Sequence, residues 1–169
     1  MAKIISLVNQ KGGVGKTTSA INLATYLAEA GKFVLLVDLD PQGNASSGLG
    51  VDHKNLEKNL YHAMIAGEHP SNIIIKTETF GHDLLPASQD LAGASIDLVH
   101  LDNREFRLYN VLREVRTNYD YIIIDSPPSL GLLTINGLVA SDEVIIPVQT
   151  EYFALEGLSQ LLNTINLVR

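Results

Sequence analysis

Three consecutive segments near the N-terminus restrict the fold most: the apolar run 4-IISLV-8, the elbow 9-NQKGGVGKTT-18, and the helix-like run 20-AINLATYLAEA-30. Glycines at 12, 13 and 15 let the backbone adopt positive φ and turn successive N–H groups inward. The result is a concave anion nest whose far wall is the N-terminus of the following helix. Such an elbow needs a buried strand on one side and a helix on the other, so the chain is expected to be built from strand–helix units. A phosphate is the natural guest.

The rest of the chain repeats that alternation. Short apolar strands are expected at 3-KIISLV-8, 33-FVLLVD-38, 83-DLLPA-87, 121-YIIID-125 and 143-EVIIPV-148, with a short edge strand at 73-III-75. Helices are expected at about 16–30, 55–66, 88–98, 103–118, 131–140 and 154–168, the first ending where Gly31 permits a left-handed cap. Continuous apolar strands alternating with helices indicate an α/β fold, a three-layer sandwich around a mainly parallel sheet. At 169 residues this is a single domain spanning 1–169. In open sheets of this kind ligands bind outside the carboxyl ends of the strands, so motifs at several strand ends converge in space.

Composition narrows the chemistry. The absence of cysteine removes disulfides, thiolate-held zinc and iron–sulfur clusters. No apolar run approaches the ~18 residues of a membrane span, and Lys11 and the glycines interrupt the N-terminal run before a signal-peptide core is complete. A soluble, cytoplasmic protein is expected. The net charge of −7 argues against duplex binding by bulk electrostatics. Arg104, Arg107, Arg113 and Arg116 cluster in 103–118, but the interleaved Glu105 and Glu114 suit a solvated helix face better than a nucleic-acid surface.

Three strand ends carry unusual residues. In the elbow, Lys16 is placed to reach β- and γ-phosphates and the Thr17 hydroxyl to ligate Mg²⁺, as in phosphate-binding loops. The general pattern G-x-x-x-x-G-K-[ST] calls for glycine at position 10, where this chain has Gln10 followed by a second lysine, Lys11. A dinucleotide fingerprint would need glycine where Thr18 stands, and a ligand-free turn is the plainest alternative. The second strand end reads 38-DLDPQGN-44. Asp38 and Asp40 alternate and project to one side if the strand persists, and Pro41 stops it. Two carboxylates beside a phosphate nest repel it unless a cation intervenes, which Mg²⁺ does; a simple Asp-capped turn is the alternative. The third is 121-YIIIDSPPS-129, where Asp125 at the end of a buried run is costly without a cation or donors. A plain N-cap role for Asp125 or Ser126 is its alternative.

Together, KGGVGKTT, DLDPQGN and IIIDSPPS resemble the ParA/Soj-type partition ATPases. These form a branch of the deviant Walker-A nucleotide hydrolases (SIMIBI-type P-loop NTPases), with the septum-placing MinD proteins and nitrogenase iron protein as cousins. The stretch 147-PVQTEYFALEGL-158 is similar to the same branch, so the likeness runs from residue 3 to the end. The missing cysteines exclude an iron-protein-like cluster, and DPQGN favours the partition branch over MinD.

The resemblance implies an ATP/ADP and Mg²⁺ site formed by Lys11, Gly12, Gly13, Val14, Gly15, Lys16, Thr17 and Thr18. Lys11 would reach phosphates held by the other subunit of an ATP-bound homodimer, Lys16 those of its own, and Gly12 would let two loops face each other. Thr17 would ligate the metal, Thr18 assist at the α-phosphate, Asp40 position the hydrolytic water, and Asp38 and Asp125 support the metal shell. Lys11, Lys16 and Asp40 are thus the expected catalytic residues. Nonspecific DNA, a ParB-like centromere-binding protein and a nucleoid-associated bacterial location are the implied partners and place, without a membrane.

Family members run further past the helix that begins near Ala154. The usual fold is therefore expected to lack its C-terminal part here, leaving Leu158, Leu161, Leu162, Ile165 and Val168 as an uncovered stripe and DNA binding open to loss. A MinD-like membrane ATPase and a non-hydrolysing nucleotide-binding module are the competing function classes. His53, His62, His69, His82 and His100 lack metal-ligand spacing and are expected at the surface. Ser126 and Ser129 lack the context of a hydrolase triad. Glu151, Tyr152 and Phe153 are expected either at the dimer face or nucleotide, or in packing.

Overall fold

A computed structural model describes residues 1–77, 80–150 and 154–168. The Glu151, Tyr152 and Phe153 expectation lies outside the described residues. Among the described residues, six strands, β1 (Lys3–Leu7), β2 (Val34–Asp38), β3 (Ile75–Thr77), β4 (His82–Leu85), β5 (Tyr121–Asp125) and β6 (Glu143–Ile145), form one sheet in the order β3-β4-β2-β5-β1-β6. Every neighbouring pair is parallel except β3 with β4. The sheet therefore has its switch point around β5, which lies between β1 and β2.

Helices α1 (Lys16–Glu29), α2 (Asn44–Gly48), α3 (Leu60–Ile65), α4 (Asp90–Asp97), α5 (Arg107–Arg113), α6 (Leu132–Ala140) and α7 (Ala154–Val168) complete the fold. Alternate strand residues feed two apolar layers. Ile4, Leu35, Val37, Ile122 and Ile124 pack with α3 to α6, while Ile5, Leu7, Leu36 and Ile123 pack with α1 and α2. A two-residue period on strands buried on both sides produces this three-layer arrangement. Helix α1 buries the small Ala20 and Ala24, letting it lie close to the sheet just behind the elbow.

Several boundaries differ from expectation for identifiable reasons. The helix expected at 55–66 starts only at Leu60, because Asn59 in extended conformation accepts a bond from the Tyr61 amide, while His62 accepts from the Asn59 amide. That reciprocal pair fixes the start more firmly than the preceding periodicity. The helix expected at 103–118 is shorter, with 3-10 turns at Arg104–Phe106 and Arg116–Asn118 flanking α5. Asn103 stands before it with φ 52°, a left-handed conformation that breaks continuity with the preceding chain. The edge strand forms two residues later than expected. Helix α2 has no apolar periodicity and was not foreseen.

The apolar stripe of α7 is less bare than expected. Leu161 is fully buried with Val8 and Leu138, and Ile165 and Val168 pack against the same cluster. Leu162 remains 45% exposed.

Candidate nucleotide-binding site

The carboxyl ends of β1, β5 and β2 sit side by side, with Leu7 opposite Asp125 and Asp125 opposite Asp38. The elbow leaves β1 here and turns into α1 through Gly13 (φ 73°) and Gly15 (φ 90°), conformations that side-chain-bearing residues rarely adopt. Gly15 caps α1 without any side-chain bond, and the first turn holds no acidic residue. The N-terminal amides of α1 are therefore left for an external acceptor. They open onto a cleft of about 320 Å³ between Gly12, Gly13 and Gly15 on one side and Asp40, Asn44 and Pro128 on the other.

Lys16, Thr17 and Thr18 line that cleft from the first turn of α1. Lys16 is 7% exposed, and its Nζ donates to the Lys11 carbonyl at 3.0 Å. Burial lowers its pKa, and the carboxylates of Asp125 and Asp40 pull the other way. Val14 lies half-buried within the elbow. Lys11 is exposed at the rim, where its amide donates to Asn9 Oδ1 and its Nζ approaches Gln149 Oε1 at 3.5 Å. Among the described residues, a Cβ added at Gly12 would meet nothing within 4 Å.

The three carboxylates have different surroundings. Asp125 is fully buried, and neither of its oxygens has a partner in hydrogen-bond geometry. Burial pushes it up to about 7; Thr17 and Lys16 beside it oppose the rise, while Asp38 and Asp40 add to it. Asp38 is equally buried but well served: Oδ2 accepts from the Ser46 amide (2.8 Å) and hydroxyl (2.7 Å), and Oδ1 from the Asp40 amide (3.2 Å). Burial raises it to about 6 against those bonds. Asp40 follows the end of β2, lines the cleft, and accepts from the Gln42 amide at 3.0 Å. The elbow, Asp40 and Asp125 thus meet at one place, whereas Asp38 is turned toward α2.

This set of groups fits a metal–triphosphate pair. A buried, unpartnered carboxylate beside a hydroxyl, a buried ammonium and an uncapped helix start is what a hard cation and an anion can jointly satisfy. Thr17 and Asp125 are the residues that would face such a cation. Asn44 and Pro128 also line the cleft; both lay inside motifs read from the sequence, and only their place at the site was missed. Ser46 carried no sequence signal.

Two histidines depart from expectation. His53 and His82 are buried, the first against Gly43, where a Cβ would lie 2.4 Å from the imidazole ring. No group of three or more potential metal-ligating His, Cys, Asp or Glu residues occurs among the described residues. The arginines of 103–118 are partly engaged within the chain: Arg104 with Glu105, Arg107 with the Met64 carbonyl, and Arg116 with Asp142.

Fold and site together define a phosphate-loop α/β domain of the deviant type, in which a second lysine stands ahead of the glycines. A family model described as AAA domain matches residues 2–169. The chain is 58% identical over its whole length to the sporulation initiation inhibitor protein Soj of Bacillus subtilis, and 55% identical to the chromosome partitioning protein ParA of Myxococcus xanthus. It spans 67% and 60% of the lengths of those two relatives. A crystal structure from Mycobacterium smegmatis, described as cobyrinic acid a,c-diamide synthase with bound ADP and magnesium, superposes with a TM-score of 0.96 at 43% identity. That match covers 99% of this chain and 68% of the other. The chain belongs to this AAA-domain family, on its ParA/Soj-type branch.

Proposed function

We propose that the chain is the nucleotide-binding part of an ATP-dependent dimerisation switch with slow ATP hydrolysis, acting in chromosome or plasmid partitioning. The observation that carries the reading is the unpartnered Asp125 carboxylate, buried beside Thr17 and Lys16 beneath the uncapped start of α1. Mg²⁺ held there would supply the positive charge that lets a triphosphate sit beside a buried carboxylate. The elbow amides hold phosphate oxygens, and Lys16 neutralises the charge of the β- and γ-phosphates. Thr18, which lines the cleft, would assist at the α-phosphate. Thr17 and Asp125 anchor the metal side, and Asp40 orients the attacking water.

Lys11 serves a second copy of the chain. Its exposed position on the rim beside Gly12 supports that role, because fixed cations stabilise a transferring phosphoryl group and one lent in trans makes hydrolysis depend on dimerisation. The nucleotide then times a binding surface. Nonspecific DNA and a ParB-like activating protein are the proposed partners, in the bacterial cytoplasm at the nucleoid. No helix among the described residues is long and apolar enough to cross a membrane, and α7 contains no Lys or Arg to hold it at an anionic bilayer.

Sedimentation with ATP and with ADP, each with Mg²⁺, tests the switch. Parent and Asp40→Ala should dimerise in ATP, the variant persistently. Lys11→Ala should bind nucleotide but stay monomeric, and Lys16→Ala should lose nucleotide binding. A parent and an Asp40→Ala chain that both remain monomeric in ATP would defeat the switch.

A further inference from the structure

The loop from Asp40 to Gly43 and Asn44, the first residue of α2, carry two groups that line the cleft, yet the loop lies past the end of β2 and belongs to no strand. Something else must set its position. On its buried side stands Ser46, fully inaccessible to solvent, whose hydroxyl uses both of its bonding directions. It donates to Asp38 Oδ2 at 2.7 Å and accepts from the Ala87 amide at 3.3 Å. The Ser46 amide donates to the same Asp38 oxygen, and Asp38 Oδ1 takes the Asp40 amide. One carboxylate therefore ties the first turn of α2 to the residue that precedes the loop's bend, and one hydroxyl ties both to the chain just beyond β4.

The loop's other side is held by an imidazole. Gly43 adopts φ 63° directly against the His53 ring, and the ring's Nδ1 lies 3.0 Å from the Ser47 hydroxyl in α2. Within the loop, the Gln42 amide bonds Asp40 Oδ1 and the Gly43 amide bonds the Asp40 carbonyl.

We propose that Asp38, Ser46 and His53 are positioning residues that hold Asp40 and Asn44 toward the cleft, Asp38 acting through Ser46 and not as part of a metal shell. The proposal rests on the nucleotide reading above for its effect on hydrolysis, but not for the frame itself. A carboxylate that already accepts three bonds gains little from a metal; its unpartnered neighbour Asp125 gains much. Asp40, held by short local bonds on a framed loop, keeps one orientation for the water it directs, as positioning groups must.

Two measurements on the full chain test this. In nucleotide-free protein, Ser46→Ala and His53→Ala should accelerate amide hydrogen exchange at Gln42 and Gly43 about tenfold or more, with exchange in β5 unchanged, because the loop opens locally. With ATP and Mg²⁺, Ser46→Ala should lower kcat roughly tenfold or more while leaving ATP affinity within about threefold. Ser46→Thr, which keeps the hydroxyl, should restore the rate. In an Asp40→Ala background, Ser46→Ala should change the residual rate no further, since both act through one group.

Unchanged exchange at Gln42 and Gly43 in both variants overturns the frame, whatever the chain does with nucleotide. A kcat loss matched by an equal loss of ATP affinity, or one that multiplies the Asp40→Ala defect, overturns the link to hydrolysis. A parent chain that binds no ATP while Ser46→Ala still loosens the loop refutes the nucleotide reading and leaves the frame standing.

Discussion

Replacing Asp125 by asparagine should make the metal-free protein more stable at pH 8, although it removes a residue at the centre of the site. The carboxylate is fully buried with both oxygens unpartnered, and burial lifts it from the usual 3.8 to about 7. At 1.36 kcal/mol for each tenfold step in acidity, that rise corresponds to about 4 kcal/mol, an upper bound because the folded chain relaxes around the charge. The folded pKa lies above the unfolded one, so the native state holds the extra proton between about pH 4 and pH 7. The stabilisation is complete below pH ~4, declines as pH rises, and is gone above pH ~7. Asp38, raised to about 6, adds a second decline over a narrower range.

Asparagine cannot ionise. Asp125→Asn should therefore lose most of the downward slope between pH 5 and pH 8, matching the parent near pH 4.5 and exceeding it by about 2–4 kcal/mol at pH 8. Urea unfolding at a series of pH values, with chelator throughout and the denaturant slope checked for constancy, measures this directly. Adding Mg²⁺ with nucleotide should reverse the order at pH 8, since only the parent has a carboxylate to offer. A variant whose stability falls with pH as steeply as the parent's would refute the idea that Asp125 is a buried charge awaiting a cation.

Gly43→Ala should cost about 2–4 kcal/mol in urea unfolding, because the new methyl meets the His53 ring at 2.4 Å and the backbone there is left-handed. Asn59→Ala removes the side-chain half of the reciprocal cap on α3, together with the bond from Asn59 Nδ2 to Asp90, and should cost about 1 kcal/mol by the same measurement. Gly157→Ala places a methyl 2.8 Å from Gln10 Nε2, the terminal amide of a flexible side chain that donates to the Gly157 carbonyl. The side chain should swing away at a cost below about 1 kcal/mol, with faster hydrogen exchange in α7 as the sensitive readout.

The elbow, the parallel sheet and the convergence of three strand ends were legible because each rests on short-range rules. Glycine's freedom at 13 and 15 and the continuous apolar run of β5 are both local, whereas β2 ends at Asp38, ahead of the stop expected at Pro41. What was not legible depends on contacts between distant segments. Helix α2 is five residues of small side chains held by Asp38 and Gly43, so no periodicity announces it. The burial of His53 follows from a glycine ten residues earlier, and the partial cover over α7 from Val8 and Leu138. Asp38 and Asp125 look alike in sequence, each an acid closing an apolar strand. The placement of Ser46 and of the Asp40 amide separates a satisfied carboxylate from an orphaned one.

Gln10, which stands where the general phosphate-loop pattern has glycine, carries a mechanical consequence. Its Nε2 donates to the Gly157 carbonyl in α7 at 3.0 Å. Alongside it, Asn9 Nδ2 reaches the Pro147 carbonyl, and Gln149 Nε2 the Gly13 carbonyl. Three amide side chains thus lash the entrance of the elbow to the segment that follows β6. Any guest that reshapes the entrance has a direct mechanical connection to the root of α7.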